Sequence, residues 1–406
     1  QLGPAELLRG GWQVETTLDL TRQHAAACII RAATGQASAG GGPPCPDVDV
    51  PPGREPAQAL AIVALDPRTG EITALAGGAL AARSTGTLVR PFIYLTALSQ
   101  GYTAASLTLD IPQIYLQDGR PYTPRNSDGQ YRGPLRLREA LAQGRDAAAV
   151  QVLSWVGRER VLNNARALGL SPAGAPVDLT FAADGFVADL LGLGRAFGVV
   201  ANGGAMAGTA GGRAPATIRR IRNARGEEVY TFAPETREAL SPELAWLLTD
   251  MLAGEEGVAT ASGASAAGDA WAIAYSTNDL AGVWASGSAS EAATAAARAL
   301  HAGESAARPG PAGLRALNVC ALSGLLPQRG AAACPTVREW FVAGTEPVAV
   351  DTMTRESAVN RQTGRLATIF TPPGLIERRV FTVFPPEAAR WAAGAGIPTP
   401  PIEYDT

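Results

Sequence analysis

Short apolar runs broken by turn-forming residues are the clearest structural signal in the chain. Residues 60–65 form such a run, residues 66–70 carry an Asp-Pro-Arg-Thr-Gly turn, and residues 71–76 resume a strand-like pattern. This arrangement predicts a β-hairpin. A second hairpin is predicted over residues 216–232, and the strongest strand signal runs through residues 269–285. Strands joined by such short turns pair antiparallel.

Helical stretches lie between these strands. Ser241-Pro242 is typical of a helix start, because serine caps the first turn and proline suits the first helical position. The predicted helices are 20–31, 90–98, 137–143, 147–156, 158–168, 187–200, 241–251 and 289–300. Turn formers concentrate in residues 101–134, which are predicted to loop over the surface, and the Pro-rich last hundred or so residues are predicted to be extended chain.

The pattern predicts the α/β (α+β) class, with an antiparallel sheet flanked by helices. Residues 57–302 are predicted to form this domain, residues 1–56 an N-terminal linker or pedestal segment, and residues 303–406 a C-terminal segment. The Gly- and Pro-rich residues 35–56 and 303–313 are predicted to be linkers or insertions.

Composition narrows the chemistry. All 34 basic residues are arginine, so the chain contains no lysine. Without a side-chain amine the protein cannot form a Schiff base or use a phosphate loop of the GxxxxGK type. The net charge of −3 gives no electrostatic reason to expect nucleic acid or an anionic membrane as a partner. A genome biased toward Arg, Ala, Gly and Pro accounts for missing surface lysines.

Four cysteines form two sequence-local pairs, Cys28 with Cys45 and Cys320 with Cys334. Two disulfides are predicted, worth roughly 3 kcal/mol each for loops of about this length, and they imply an oxidising, extracytoplasmic setting. Four buried free thiols are the alternative. Neither His24 nor His301 sits at ligand spacing from a cysteine, so no metal or other cofactor is expected. No apolar run spans a bilayer and Gln1 does not begin a signal peptide, which predicts a chain tethered through a segment upstream.

A series of ordered phrases resembles the transpeptidase half of bimodular (class A) penicillin-binding proteins, which cross-link peptidoglycan stem peptides. These phrases are "IVALDPRTGEITALAGG" at 62–78, "PFIYLTALSQGYT" at 91–103, "PYTPRNSDGQYRG" at 121–133 and "DAWAIAYSTNDLAGVW" at 269–284. The segment from "VCALSGLLPQRGAAACP" to "FVAGTEP" resembles a C-terminal segment of some of these proteins. The resemblance implies the penicillin-binding-protein/β-lactamase-like fold.

The family uses a serine nucleophile followed one helical turn later by a lysine that takes its proton. The matching stretch here begins at Thr87 and ends at Arg90. Thr87 keeps a hydroxyl and adds a methyl group that restricts χ1. A guanidinium stays protonated, so Arg90 cannot act as a general base.

The other two motifs also differ. The family's SxN reads Gly144-Arg145-Asp146 here, so a hydroxyl is lost and an amide becomes a carboxylate. The family's KTG matches Ala261-Ser262-Gly263, with the register uncertain by about one position, and the cationic anchor is missing.

The altered motifs favour the hypothesis that the chain is not an enzyme. In this interpretation it is a pseudoenzyme, with Thr87, Arg90, Gly144, Asp146 and residues 261–263 as vestigial positions. It would act in the cell envelope as a structural or partner-binding module, with a protein or the peptidoglycan stem peptide as ligand. One alternative is an active D,D-transpeptidase or carboxypeptidase that uses Thr87. Another is an accessory subunit of a larger extracytoplasmic or membrane-associated assembly.

Overall fold

The computed structural model describes residues 10–35, 45, 57–254, 258–287, 290–301, 309–328 and 334–406. The helices are α1 (Leu20–Ala33), α2 (Arg90–Ser99), α3 (Leu137–Ala142), α4 (Asp146–Val156), α5 (Arg158–Ala167), α6 (Phe181–Asp184), α7 (Leu190–Ala201), α8 (Pro242–Leu252), α9 (Ser290–Leu300) and α10 (Pro386–Gly394). Short 3₁₀ turns lie at Gly86–Val89 and Pro373–Leu375.

The strands are short and pair antiparallel. They are β1 (Gln13–Thr16), β2 (Leu60–Asp66), β3 (Glu71–Ala76), β4 (Arg83–Ser84), β5 (Leu107–Asp110), β6 (Tyr115–Gln117), β7 (Arg120–Tyr122), β8 (Gly133–Arg136), β9 (Val187–Ala188), β10 (Ala205–Gly208), β11 (Ile218–Arg222), β12 (Glu228–Thr231), β13 (Glu235–Glu238), β14 (Ala259–Ala264), β15 (Asp269–Tyr275), β16 (Leu280–Ser286), β17 (Leu314–Cys320), β18 (Thr336–Val342), β19 (Thr354–Asn360) and β20 (Ile376–Thr382).

The chain folds as two compact units, each built from separate stretches of sequence. Residues 1–96 and 157–311 form the first unit, and residues 97–156 and 312–406 form the second. The bounds predicted from sequence, 1–56, 57–302 and 303–406, stay a prediction.

The first unit is organised around a five-stranded antiparallel sheet with the order β14-β15-β16-β2-β3. Strands β2, β15 and β16 are almost fully buried, because helices cover both faces of the sheet. Helices α1 and α9 pack on one face through mostly alanine side chains, which let the helices approach closely. Helix α7 lies on the other face, where the Phe197 and Tyr275 rings are 6.0 Å apart.

The second unit contains α3, α4, β5–β8, the hairpins β17–β18 and β19–β20, and α10. A small apolar cluster of Ala105, Val319 and Phe341 joins the 101–107 segment to the first of these hairpins. The buried carboxylate of Glu339 strengthens the same junction, because Arg136 and Arg138 both donate hydrogen bonds to it.

The structure confirms the predicted fold class. The hairpins β2–β3 and β15–β16 and the predicted helices are present. Two predictions were wrong. Residues 101–134 form the pairs β5–β8 and β6–β7 rather than a surface loop, and Asp110 and Asn126 within them are buried. The last hundred or so residues form two hairpins and a helix, because backbone pairing organises chain that lacks a strong apolar pattern.

Most of the two predicted linkers, 36–44 and 46–56 in the first and 303–308 in the second, lies outside the described residues. Both predicted disulfides are formed, Cys28–Cys45 and Cys320–Cys334. In the part of the chain that the structure describes, no helix is long and apolar enough to cross a membrane.

Candidate functional site

The Thr87 hydroxyl lies where a 3₁₀ turn, Gly86–Val89, runs directly into α2. Thr87 is half-buried, and its Oγ1 accepts a hydrogen bond from the backbone N–H of Ala264 at 3.0 Å. Arg90 opens α2, its backbone N–H donates to the Thr87 carbonyl, and its side chain is buried. The turn therefore presents one hydroxyl beside a backbone donor, with a guanidinium one turn further along.

Two glycines allow the turn and β14 to touch backbone to backbone. A Cβ at Gly263 would lie 2.7 Å from Leu88 Cα, closer than real Cβ contacts allow. Gly86 has φ +53°, and a Cβ there would lie 2.6 Å from Ser265 N. A side chain at either position would push the turn away from the strand, so these glycines set the distance between Thr87 Oγ1 and Ala264 N.

The residues matched to the third motif all lie on β14. Ala261 is buried, Ser262 is exposed and Gly263 faces the 86–89 turn. Strand β14 is the last strand of its sheet, and among the described strands it pairs with β15. At its two ends Ala259 bridges Ala253 and the Ala264 N–H donates to Thr87 Oγ1, so the stretch between them is the part of the outer edge that an extended peptide can pair with.

Two tryptophans on the neighbouring strands support the turn. Trp271 is fully buried, and its Nε1–H donates to the Ser84 carbonyl at 2.9 Å. The Ser84 hydroxyl in turn donates to the Asp184 carbonyl at 2.7 Å. Trp284 donates to Asp269 Oδ1 at 2.8 Å, and the Arg83 guanidinium stacks 3.7 Å above its ring. These contacts hold the segment that precedes Thr87, so the hydroxyl is carried on a rigid support.

In the second unit, the segment matched to the second motif belongs to a polar network. Arg145 is buried; its Nε donates to Asp110 Oδ2 at 2.9 Å, its Nη1 to Asp128 Oδ2 at 2.9 Å, and its Nη2 to the Gln130 carbonyl. Hydrogen bonds from Arg145 hold the pKa of Asp128 well below its usual range. Asp146 accepts from the backbone N–H of Ser127 at 3.1 Å. The arginine thus organises residues 110–130.

Gly144, at the first position of the same motif, has φ +60° and ends the α3 turn. Sequence reasoning missed Asp110, Asn126 and Asp128 as partners of this segment. The signal that could have found them is the high density of polar turn formers in residues 121–133, which need partners once they are buried.

One group of residues in the described chain has the chemistry of metal ligands. The sulfurs of Cys320 and Cys334 and the carboxylate of Asp351 all lie within 4.8 Å of one another. The two sulfurs are joined in a disulfide, so neither is a thiolate ligand in this state.

Comparison with known proteins identifies the family. Residues 60–275, more than half of the 406 residues, match the family model described as the penicillin binding protein transpeptidase domain. The chain belongs to the penicillin-binding-protein transpeptidase family. Residues 310–356 also match the C-terminal domain of penicillin-binding protein 1A.

Curated relatives agree with this family. The chain is similar to penicillin-binding protein 1A of Neisseria lactamica, with 30% identity over 253 residues, which cover 57% of this chain and 31% of the relative. It is 31% identical over 192 residues to penicillin-binding protein 1A of Pseudomonas aeruginosa, covering 44% of this chain and 23% of the relative. The chain thus spans about a third or less of the length of these relatives.

Solved structures show the same fold. Penicillin-binding protein 1A from Haemophilus influenzae superposes with a TM-score of 0.70 at 18% identity, covering 84% of this chain and 73% of that one. The PonA1 protein from Mycobacterium tuberculosis, in complex with penicillin V, superposes with a TM-score of 0.60 at 17% identity, covering 74% and 87%.

These findings correct one prediction. The hypothesis that the chain is not an enzyme was wrong, because its relatives are penicillin-binding proteins 1A and the matched domain is a transpeptidase domain. The comparison of the three motifs overstated the loss of catalytic activity, because it considered side chains alone. Removing a general base lowers a rate by about 10²–10⁴, whereas the backbone donor and the hydroxyl remain in place. The findings therefore favour the alternative that uses Thr87.

Proposed function

We propose that this chain is the acyl-transfer domain of a cell-envelope penicillin-binding protein. The Thr87 hydroxyl accepts the acyl group of a stem peptide that ends in D-Ala-D-Ala, and the terminal D-Ala leaves. The observation that carries this proposal is the 3.0 Å hydrogen bond from Ala264 N–H to Thr87 Oγ1. It brings a hydroxyl and a backbone donor together beside an edge strand, which is the pairing that acyl transfer to Thr87 needs.

The reaction follows from this geometry. Thr87 Oγ attacks the carbonyl carbon, and the carbonyl oxygen gains negative charge. The Ala264 N–H, which bonds the hydroxyl in the resting state, is within reach of that oxygen once Oγ has moved toward the carbon. A single backbone donor of this kind contributes about 10²–10³ in rate. Because the donor is held by Gly86 and Gly263, it needs no rearrangement when charge develops.

Arg90 supplies charge rather than a base. Its guanidinium is buried one turn after Thr87, and an arginine side chain does not serve as a proton acceptor. It can stabilise an anion nearby, but the hydroxyl proton must leave to water or to the substrate. We therefore expect acylation to be slower by about 10²–10⁴ than where an amine takes this proton.

The second candidate function is a binding role in the envelope in addition to acyl transfer, and the outer edge of β14 favours it. An extended peptide can pair with this edge through backbone hydrogen bonds, which give affinity without a cationic anchor at Ala261. The ligand of this role is a stem peptide or an extended segment of an envelope protein. The two disulfides fit an extracytoplasmic setting, and a tether upstream of Gln1 is part of the same proposal.

Acylation by benzylpenicillin tests the main proposal. The full chain is incubated with the antibiotic, intact mass reports the adduct, and peptide mass spectrometry locates it. We expect a slow adduct on Thr87 that is absent in Thr87→Ala and formed at least as fast in Thr87→Ser, because serine lacks the extra methyl group. Ser171→Ala is the matched control, since this exposed hydroxyl lies outside all three motifs and should not affect labelling.

A wild-type chain that forms no adduct, or an adduct that persists in Thr87→Ala, would overturn the assignment of Thr87. The binding role is tested separately. Calorimetry with a non-hydrolysable peptide analogue measures affinity without turnover, and Gly263→Val should weaken it because the side chain displaces β14 from the 86–89 turn.

A further inference from the structure

The disulfide Cys28–Cys45 lies among cationic and polar groups of α1. His24 precedes Cys28 by four residues and Arg31 follows it by three, so all of them share one face of the helix. Arg31 Nη2 donates to Cys28 Sγ at 3.0 Å and to Cys45 Sγ at 3.2 Å. His24 Nε2 is 3.6 Å from Cys28 Sγ.

The two sulfurs differ in access. Cys28 is buried, with 4% of its surface exposed, whereas Cys45 is exposed. Attack on a disulfide requires an accessible sulfur and a stable thiolate as leaving group. Cys45 is therefore the sulfur that an external thiolate reaches. Cys28 is the sulfur that leaves, beside a guanidinium that stabilises its negative charge.

We propose that Cys28–Cys45 is a thiol–disulfide exchange site, opened by a dithiol reductant of the envelope that attacks Cys45. One thiolate of the reductant forms a bond to Cys45 Sγ, the Cys28–Cys45 bond breaks, and Cys28 keeps the electron pair. The second thiolate of the reductant then forms the reductant's own disulfide and releases Cys45. Two electrons pass to the protein pair, and Cys45 takes up a proton from water.

The second disulfide of the molecule provides an internal comparison. Cys320 and Cys334 are both buried, at 1% and 6% exposure. A carboxylate oxygen of Asp351 lies within 4.8 Å of both sulfurs. A carboxylate disfavours a thiolate beside it, and burial blocks attack. Cys320–Cys334 should therefore resist the reductant that opens Cys28–Cys45.

Opening the exchange site leaves the sheet intact. Helix α1 is held on β3 by the Gln23 side chain, which donates to the Leu75 carbonyl at 2.9 Å and accepts from the Leu75 N–H at 2.9 Å. The Asp19 N–H also donates to the Thr73 carbonyl at 2.9 Å. These contacts do not involve the disulfide, so we expect Cys28 to keep its position when the bond to Cys45 breaks.

The test equilibrates the full-length chain in dithiothreitol redox buffers at pH 7, blocks free thiols with an alkylating agent and quantifies each cysteine peptide by mass spectrometry. We expect Cys28–Cys45 to open at a ratio of reduced to oxidised dithiothreitol at least tenfold lower than the ratio that opens Cys320–Cys334. Arg31→Gln should shift the equilibrium of the Cys28–Cys45 pair about tenfold toward the disulfide, which corresponds to a change of about 30 mV in the reduction potential of this two-electron couple. Arg31→Lys keeps the cation and should stay within about threefold of the wild type.

A monothiol identifies the attacked sulfur. With glutathione as the probe, we expect the mixed disulfide on the Cys45 peptide rather than on the Cys28 peptide. The proposal is overturned if the two protein disulfides open together, if glutathione is found on Cys28, or if folded Arg31→Gln keeps the wild-type equilibrium. If circular dichroism shows that Arg31→Gln does not fold, the order of opening in the wild type decides.

Discussion

Glu339 carries a buried charge on which the second unit depends. It lies on β18 with 0% of its surface exposed and accepts hydrogen bonds from Arg136 Nη1 at 3.1 Å and Arg138 Nε at 2.9 Å. The next residue on the same strand, Trp340, also donates its backbone N–H to Glu339 Oε1 at 3.1 Å. Glu339→Gln keeps the shape of the side chain but removes the negative charge that two guanidinium groups share.

The expected loss in the free energy of unfolding depends on the partners that Arg136 and Arg138 keep in Glu339→Gln. Removing one partner of a buried ion pair destabilises a protein by about 3–5 kcal/mol, because the other charge stays buried and uncompensated. Arg136 keeps Glu139 Oε1 at 2.8 Å and the Ala321 carbonyl at 2.8 Å, and Arg138 is 23% exposed and can turn toward water. We therefore expect a loss at the lower end, about 3 kcal/mol.

The assay is urea unfolding of the full chain, with hydrogen exchange of the β17 and β18 amides reporting on the second unit. Glu403→Gln is the matched control, because Glu403 pairs with Arg365 at 3.0 Å but is 69% exposed. We expect the control to cost less than about 1 kcal/mol. Equal losses in the two variants would refute the argument that burial makes Glu339 important.

Three further predictions follow from other contacts. Gly263→Ala puts a Cβ 2.7 Å from the Leu88 Cα, so it should destabilise the fold by about 1–3 kcal/mol in thermal melts and slow penicillin acylation more than tenfold. Gly198→Ala is the control: a Cβ there meets nothing within 4 Å, and neither effect is expected. Hydrogen bonds from Arg145 lower the pKa of Asp128, so its contribution is present above pH ~4 and is lost as pH falls further; Asp128→Asn should remove this acid dependence from denaturation curves. Burial, with a smaller effect of a neighbouring tyrosine, raises the pKa of Tyr115 to about 12, so the free energy of unfolding should fall as pH rises from ~10 to that value. An ultraviolet titration of tyrosine ionisation should show a late step near pH 12 that Tyr115→Phe removes.

The candidate site was only partly predictable. The sequence identified Thr87 and Arg90 through a local motif, and it placed Gly263 near them to within one register position. It did not identify Ala264, because the group that matters there is a backbone N–H that any residue would supply. It also led to a wrong conclusion about catalysis, since a motif describes side chains and not the donor that remains when side chains change.

Burial of polar residues was the other gap. Asp110 and Glu339 are fully buried, yet Asp110 lies in a segment rich in turn formers and Glu339 in one predicted only as extended chain. Their partners, Arg145 and Arg136, are distant in sequence, and no local sequence pattern predicts such a pair. Only the folded chain brings the charges within hydrogen-bonding distance.

The sequence by itself indicated the central strands and the longer helices of the first unit, and both disulfides. Strands such as β2 and β15 are buried on both faces, so their apolar runs mark them locally, and each cysteine pair is close along the chain. The tertiary structure alone decided where Thr87 Oγ1 meets Ala264 N and where the buried carboxylates find their arginines. The reason is physical: local patterns reflect burial and chain geometry, whereas these contacts join residues far apart in sequence.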